Sequence, residues 1–188
     1  MMHGRGSSAQ DILSLADYIE HDSIAFVAPQ ASQGTWYPYS FLAPIEQNEP
    51  GLSSALNVVE SIVAQLHDQS GFAYEDIYLL GFSQGACLTL EYVARHPRRF
   101  GGVFGLSGGL IGPEGMLPRY EGDMAQTPVF LGCSDVDFHI PKERVLESER
   151  IFTALKANVQ TKLYKNFGHT VNDDELIVVN RVIASANF

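Results

Sequence analysis

The chain is short of cysteine, of basic residues and of long apolar runs. Only two of its 188 residues are cysteines, Cys87 and Cys133, far apart and not in a CxxC pair. A disulfide framework is therefore not expected, and both read as small buried core residues. Lysine and arginine number 12 against 22 acidic residues, for a formal net charge of −10. That balance excludes a nucleic-acid partner, which needs a basic surface to neutralise phosphates. It fits solubility or a salty habitat. No stretch approaches the roughly 18 apolar residues of a membrane span. No basic region followed by an apolar one marks a signal peptide, so a cytoplasmic protein is the expectation.

Missing motifs narrow the chemistry. There is no G-x-x-x-x-G-K-[ST], and the glycines from Gly105 to Gly112 lack G-x-G-x-x-G spacing. H-E-x-x-H is absent, and the acidic residues do not stand at ligand spacing from histidines. Neither a nucleotide cofactor nor a metal is expected.

What is present is a globular pattern. Hydrophobic residues make up 45% of the chain and charged residues 18%, enough for a single domain spanning residues 1–188. Apolar periodicity predicts helices over Ser8–Glu20, Leu52–Gln69 and about Gln84–Arg95, one opening at Pro141, and a last one capped by Asn172. Short apolar runs predict strands at Ile24–Ala28, Ile77–Leu80, Gly102–Leu106, Val129–Cys133 and Gln160–Tyr164. Residues 29–50 form a long loop, of a kind that is usually functional. Strands separated by helices imply an α/β fold with a mostly parallel sheet covered on both faces.

Chemistry enters at Gly81-Phe82-Ser83-Gln84-Gly85, a G-x-S-x-G between a strand and a helix. That context makes Ser83 a candidate nucleophile at a sharp strand-to-helix turn. A serine hydroxyl needs a base. Of six histidines, His169 lies in the loop between the last strand and last helix, which emerges at the same sheet edge as Ser83. The base needs an acid to fix its tautomer. The loop after Val129–Cys133 offers both Asp135 and Asp137, and the order Ser, Asp, His fits an α/β-hydrolase.

These residues resemble the phospholipase/carboxylesterase family of small α/β-hydrolases, which includes acyl-protein thioesterases and bacterial carboxylesterases. The resemblance runs along nearly the whole chain. It rests on His3-Gly4-Arg5-Gly6, Trp36-Tyr37, the G-x-S-x-G segment, Asp137-Phe138-His139-Ile140-Pro141 and Gly168-His169. It implies Asp137 as the acid and an oxyanion hole made by the backbone N–H groups of Arg5 and Gln84. It further implies a serine carboxylesterase, and since the strands at 102–106 and 129–133 are separated by only about twenty loop residues, with no lid domain, short-to-medium acyl esters or thioesters are the expected substrates. Trp36, Tyr37, Phe82 and Leu110 are then candidates for contact with a small acyl substrate. The competing reading is a non-catalytic binding module on a truncated hydrolase fold. One departure stands out. Family members carry a strand before H-G, inside the sheet between the segments matching Ile24–Ala28 and Ile77–Leu80. Here H-G starts at residue 3, so a gap is expected in that place, open or filled by another segment or by a second subunit of a homo-oligomer.

Overall fold

The computed structural model describes residues 1–21 and 23–185. Its centre is a four-stranded, all-parallel sheet in the order β1-β2-β3-β4, with β1 at Tyr78–Phe82, β2 at Gly102–Leu106, β3 at Pro128–Ser134 and β4 at Asn158–Tyr164. The helices are α1 (Ala9–Leu13), α2 (Ile45–Asn48), α3 (Gly51–Ala64), α4 (Gln84–Arg95), α5 (Lys142–Ala154) and α6 (Asp173–Ala184).

Period-two alternation along the strands divides the interior into two cores. Leu79, Val103, Val129 and Leu131 face α3, α4 and α5, whereas Leu80, Phe104, Leu106 and Phe130 face α6 and Ile12 of α1. Burial on both faces is what a parallel sheet requires. The helix ends follow their sequence signals. Ser8 and Asp11 form a capping box at α1, and Asn172 and Glu175 form another at α6. Pro141 precedes α5. Cys87 and Cys133 are both buried and free. Among the described residues no helix is long and apolar enough to cross a membrane.

Several elements differ from expectation: α2 falls inside the predicted 29–50 loop, and the helix predicted over Leu52–Gln69 is α only to Ala64 and closes in a π turn over Gln65–Gln69. The helix predicted over Ser8–Glu20 is α only to Leu13 and continues as a 3-10 turn over Ser14–Tyr18. Ile24–Ala28 forms no strand, although its backbone meets the start of the chain at Val27. Between it and β1 stands the start of the chain. The Met2 N–H donates to the Leu80 carbonyl at 2.8 Å, and the Phe82 N–H donates to Met2 at 3.1 Å, a parallel bridge to Gly81. On the other side the Met1 amine donates to the Val27 carbonyl at 2.7 Å. Met1 and Met2 thus occupy the end of the expected gap. Behind them runs an apolar cavity of about 450 Å³, lined by Ile24, Val27, Val59, Leu79, Phe104 and Val179 among others.

Candidate active site

The carboxyl ends of β1, β3 and β4 open onto one edge of the sheet, and each delivers one polar residue. After β1 the chain turns at once into α4. Ser83, at the turn, has φ 55° and ψ −121°, a conformation that costs a non-glycine residue about 1–3 kcal/mol. Small neighbours make this possible. A Cβ on Gly81 would lie 2.3 Å from the Gly85 carbonyl oxygen, and one on Gly85 would lie 2.2 Å from that of Met2. The second contact shows how closely the chain start packs on the helix N-terminus.

His169 follows β4. Its Nε2 lies 2.8 Å from Ser83 Oγ and its Nδ1 lies 2.6 Å from Asp137 Oδ2. The Phe82 ring lies 5.1 Å from the imidazole and the His139 ring 4.8 Å from it, centroid to centroid. Asp137 follows β3, and its side chain is fully buried whereas His169 retains some exposure. Burial pushes the Asp137 carboxyl up. Hydrogen bonds from His169 and from the His139 and Ile140 N–H groups outweigh that, leaving it below the ordinary carboxylate value. The structure brings Asp137, and not Asp135, to His169. Asp135 instead accepts the Asn166 N–H at 2.8 Å, which ties down the turn after β4. Cys133 Sγ sits 3.8 Å from Asp137 Oδ2, and burial pushes this thiol and that of Cys87 up to about 12.

The candidate oxyanion donors both belong to segments beside Ser83. Gln84 is the first residue of α4, where N–H groups have no carbonyl partner within the helix. Arg5 follows Gly4, on which a Cβ would lie 3.4 Å from that of Ser83. The side chains of both residues, unread in the sequence, bind the loop at 35–39. Arg5 donates to Thr35 Oγ1 and to the carbonyls of Pro38, Tyr37 and Tyr39, at 2.7–2.9 Å. Gln84 Oε1 accepts the Trp36 N–H at 3.0 Å, and its Nε2 donates to the Tyr37 carbonyl at 2.8 Å.

The expected acyl contacts need correction. Trp36, Tyr37 and Leu110 belong to the core and present almost no surface to a substrate. Trp36 donates through Nε1 to the His3 carbonyl. Leu110 lies under a loop held by two buried charges: Arg144 donates to the Leu110 and Gly112 carbonyls, and Glu91 accepts from the Ile111 N–H and Tyr120. Only Phe82 of the four is half-exposed beside His169. Phe138, next to the acid, is 99% exposed. Among the described residues no cluster of His, Cys, Asp or Glu could hold a metal ion.

A model of the phospholipase/carboxylesterase family matches residues 1–187. Acyl-protein thioesterase 1 of Kluyveromyces lactis is 29% identical over 94% of this chain and 86% of that protein. The crystal structure of a phospholipase/carboxylesterase from Dyadobacter fermentans superimposes with a TM-score of 0.94 at 47% identity, over 98% of this chain and 88% of that one. SOBER1 of Arabidopsis thaliana shares the fold at 20% identity, with a TM-score of 0.77 over 97% of this chain and 95% of that one.

Proposed function

Because this chain belongs to the phospholipase/carboxylesterase family of α/β-hydrolases, and so is a hydrolase of esters or thioesters, we propose that it is a serine carboxylesterase that cleaves short-to-medium acyl esters through an acyl-enzyme on Ser83. The observation that carries this reading is the unbroken relay from Asp137 Oδ2 through His169 to Ser83 Oγ, with contacts of 2.6 and 2.8 Å.

In the proposed reaction His169 Nε2 takes the Ser83 proton as Oγ attacks the acyl carbon. Negative charge moves to the acyl oxygen, which the N–H groups of Arg5 and Gln84 stabilise. Asp137 accepts from Nδ1–H, fixes the tautomer and stabilises the imidazolium. His169 then protonates the departing alcohol or thiol, and the C–O or C–S bond breaks. Water, activated by His169, releases the acid and restores Ser83. Thioesters enter by the same steps, and the name of the Kluyveromyces lactis relative supports including them. The loop between β2 and β3 supports the preference for short chains, because its apolar residues Leu110 and Ile111 are spent inside the core rather than in a lid.

The test is a fluorophosphonate probe on the wild type and Ser83→Ala, with p-nitrophenyl esters and acyl thioesters of graded length. The wild type should label and turn over, fastest up to roughly eight carbons, since the loop between β2 and β3 supplies no lid to bury a longer chain. Ser83→Ala should do neither. An unlabelled wild type without turnover would leave a binding module, and rates climbing through palmitoyl esters would overturn the chain-length preference.

A further inference from the structure

His3 is wholly buried, and the proposed chemistry does not use it. Its Nε2 lies 3.1 Å from the Ala31 backbone nitrogen and 3.3 Å from Gln30 Nε2. A backbone N–H can only donate, so Nε2 is an acceptor, and in the neutral ring the proton sits on Nδ1. Nδ1 lies 2.7 Å from the Gly4 carbonyl oxygen and so donates to it. That oxygen belongs to the Gly4–Arg5 peptide unit, whose other polar group is the Arg5 N–H. In a planar trans peptide the C=O and N–H point in opposite directions. Fixing the oxygen therefore fixes the direction of the N–H.

We propose that His3 is a positioning residue for the oxyanion site: it holds the Gly4 carbonyl, and so aims the Arg5 N–H toward the oxygen of the acyl carbon that Ser83 Oγ attacks. This rests on the proposed oxyanion role of Arg5. The support around it is rigid. The Ser7 N–H donates to the same Gly4 oxygen at 3.2 Å, and the His3 carbonyl is held by Trp36 Nε1 at 2.8 Å. Ala31, which sets the tautomer, is itself buried. An oxyanion donor acts by being in place before charge develops, so a peptide free to rotate loses most of the effect without weakening substrate binding.

Two substitutions separate the ring's two hydrogen bonds. In His3→Asn the carboxamide nitrogen can stand where Nδ1 stood and keep the donor to Gly4. In His3→Gln the carboxamide oxygen can stand where Nε2 stood and keep the acceptor for Ala31. Rates are measured on an oxygen ester and on its thiono analogue, whose sulfur is a poor acceptor and so gains little from the hole. His3→Asn should keep kcat within a few-fold. His3→Gln should lose about 10–100-fold in kcat, part of the roughly 10²–10³ that a deleted donor costs, with KM nearly unchanged. Its preference for the oxygen ester should collapse in parallel. Equal losses in the two variants, or a loss with the preference intact, would overturn the proposal. Nitrogen NMR of the wild-type imidazole gives a check that needs no variant: protonation on Nδ1 is expected, and on Nε2 would overturn it. Absence of any oxygen-ester preference in the wild type would remove the oxyanion reading itself, and the role of His3 with it.

Discussion

Arg5 and Gln84 donate to one acceptor: the Tyr37 carbonyl oxygen lies 2.9 Å from Arg5 Nη2 and 2.8 Å from Gln84 Nε2. The two residues proposed to supply the oxyanion N–H groups are thus joined through their side chains, although they stand at opposite ends of the sequence between the H-G and G-x-S-x-G segments. On the proposed oxyanion roles, the spacing of the two N–H groups would depend on the loop at 35–39.

Arg5→Lys keeps the charge but not the planar fork, so most of the four bonds to the 35–39 loop are lost. The expected result is a fall in kcat of about tenfold with KM within twofold, since the loss falls on transition-state contacts. Gln84→Met should act similarly. A double-mutant cycle on kcat should show coupling of about 1 kcal/mol, because both changes release one loop. Strict additivity would show that the shared carbonyl does not link them.

Asp137→Asn should lower kcat by about 10⁴, because an amide nitrogen facing Nδ1 forces the wrong imidazole tautomer. Asp135→Asn should cost less than tenfold, since its partner is the Asn166 N–H, which an amide oxygen still satisfies. Steady-state rates on one ester decide between them, and a larger loss at Asp135 would reverse the assignment.

Most of the relay was legible because each member follows a strand and sits in a short local motif: Ser83 in G-x-S-x-G, His169 after Gly168, and Asp137 in D-x-x-I-P. Choosing Asp137 over Asp135 needed the family resemblance, since adjacent loop carboxylates look alike until their partners are seen. The side-chain roles of Arg5 and Gln84 were not legible. Their acceptors are backbone carbonyls of an irregular loop, and any residue type carries such a carbonyl. Trp36, Tyr37 and Leu110 misled for a related reason: aromatic and aliphatic loop residues have the same composition whether they face a ligand or pin the loop to the core. Ile24–Ala28 has strand composition, but a strand also needs a partner along its length, and here Met1 meets it at Val27 with a cavity behind.

Glu175 illustrates a third limit. In the sequence it is one of three acids complementing the α6 dipole. In the fold it is buried against Gly132, with Oε1 lacking a partner, and burial raises it to about 7 from 4.5. A carboxyl raised in the folded state contributes stability below its unfolded value and loses it as pH rises through the folded one. Glu175→Gln should therefore gain on the wild type between pH 4.5 and about 7, by about 3 kcal/mol in all. Denaturant titrations across that range measure the difference. A constant difference would show that Glu175 ionises without penalty.

The apolar cavity beside β1 predicts a response to added chain. This partly open space of about 450 Å³ leaves apolar side chains on both sides of it unpacked, which an added strand could cover. Burial lowers the Met1 amine at its mouth to about 5. A five- or six-residue apolar strand fused ahead of Met1 would extend the pairing that Met2 makes with β1 and replace that amine by an amide. Tm should rise by several degrees, and kcat should rise as the Gly4–Arg5 peptide gains support. Unchanged values for both would show that the sheet does not need a strand in this place.

The two buried thiols also bear on how the protein can be handled. With both raised to about 12, the thiolate at neutral pH is on the order of one molecule in 10⁵. Oxidation, alkylation and disulfide exchange all proceed through thiolate, so each is slowed by about 10³ relative to an ordinary cysteine of pKa 9.0 before access is considered. Activity should survive without a reducing agent, and iodoacetamide should leave it untouched. On the proposed mechanism, an electrophile that silences this protein is expected to react at the Ser83–His169 pair and not at either thiol.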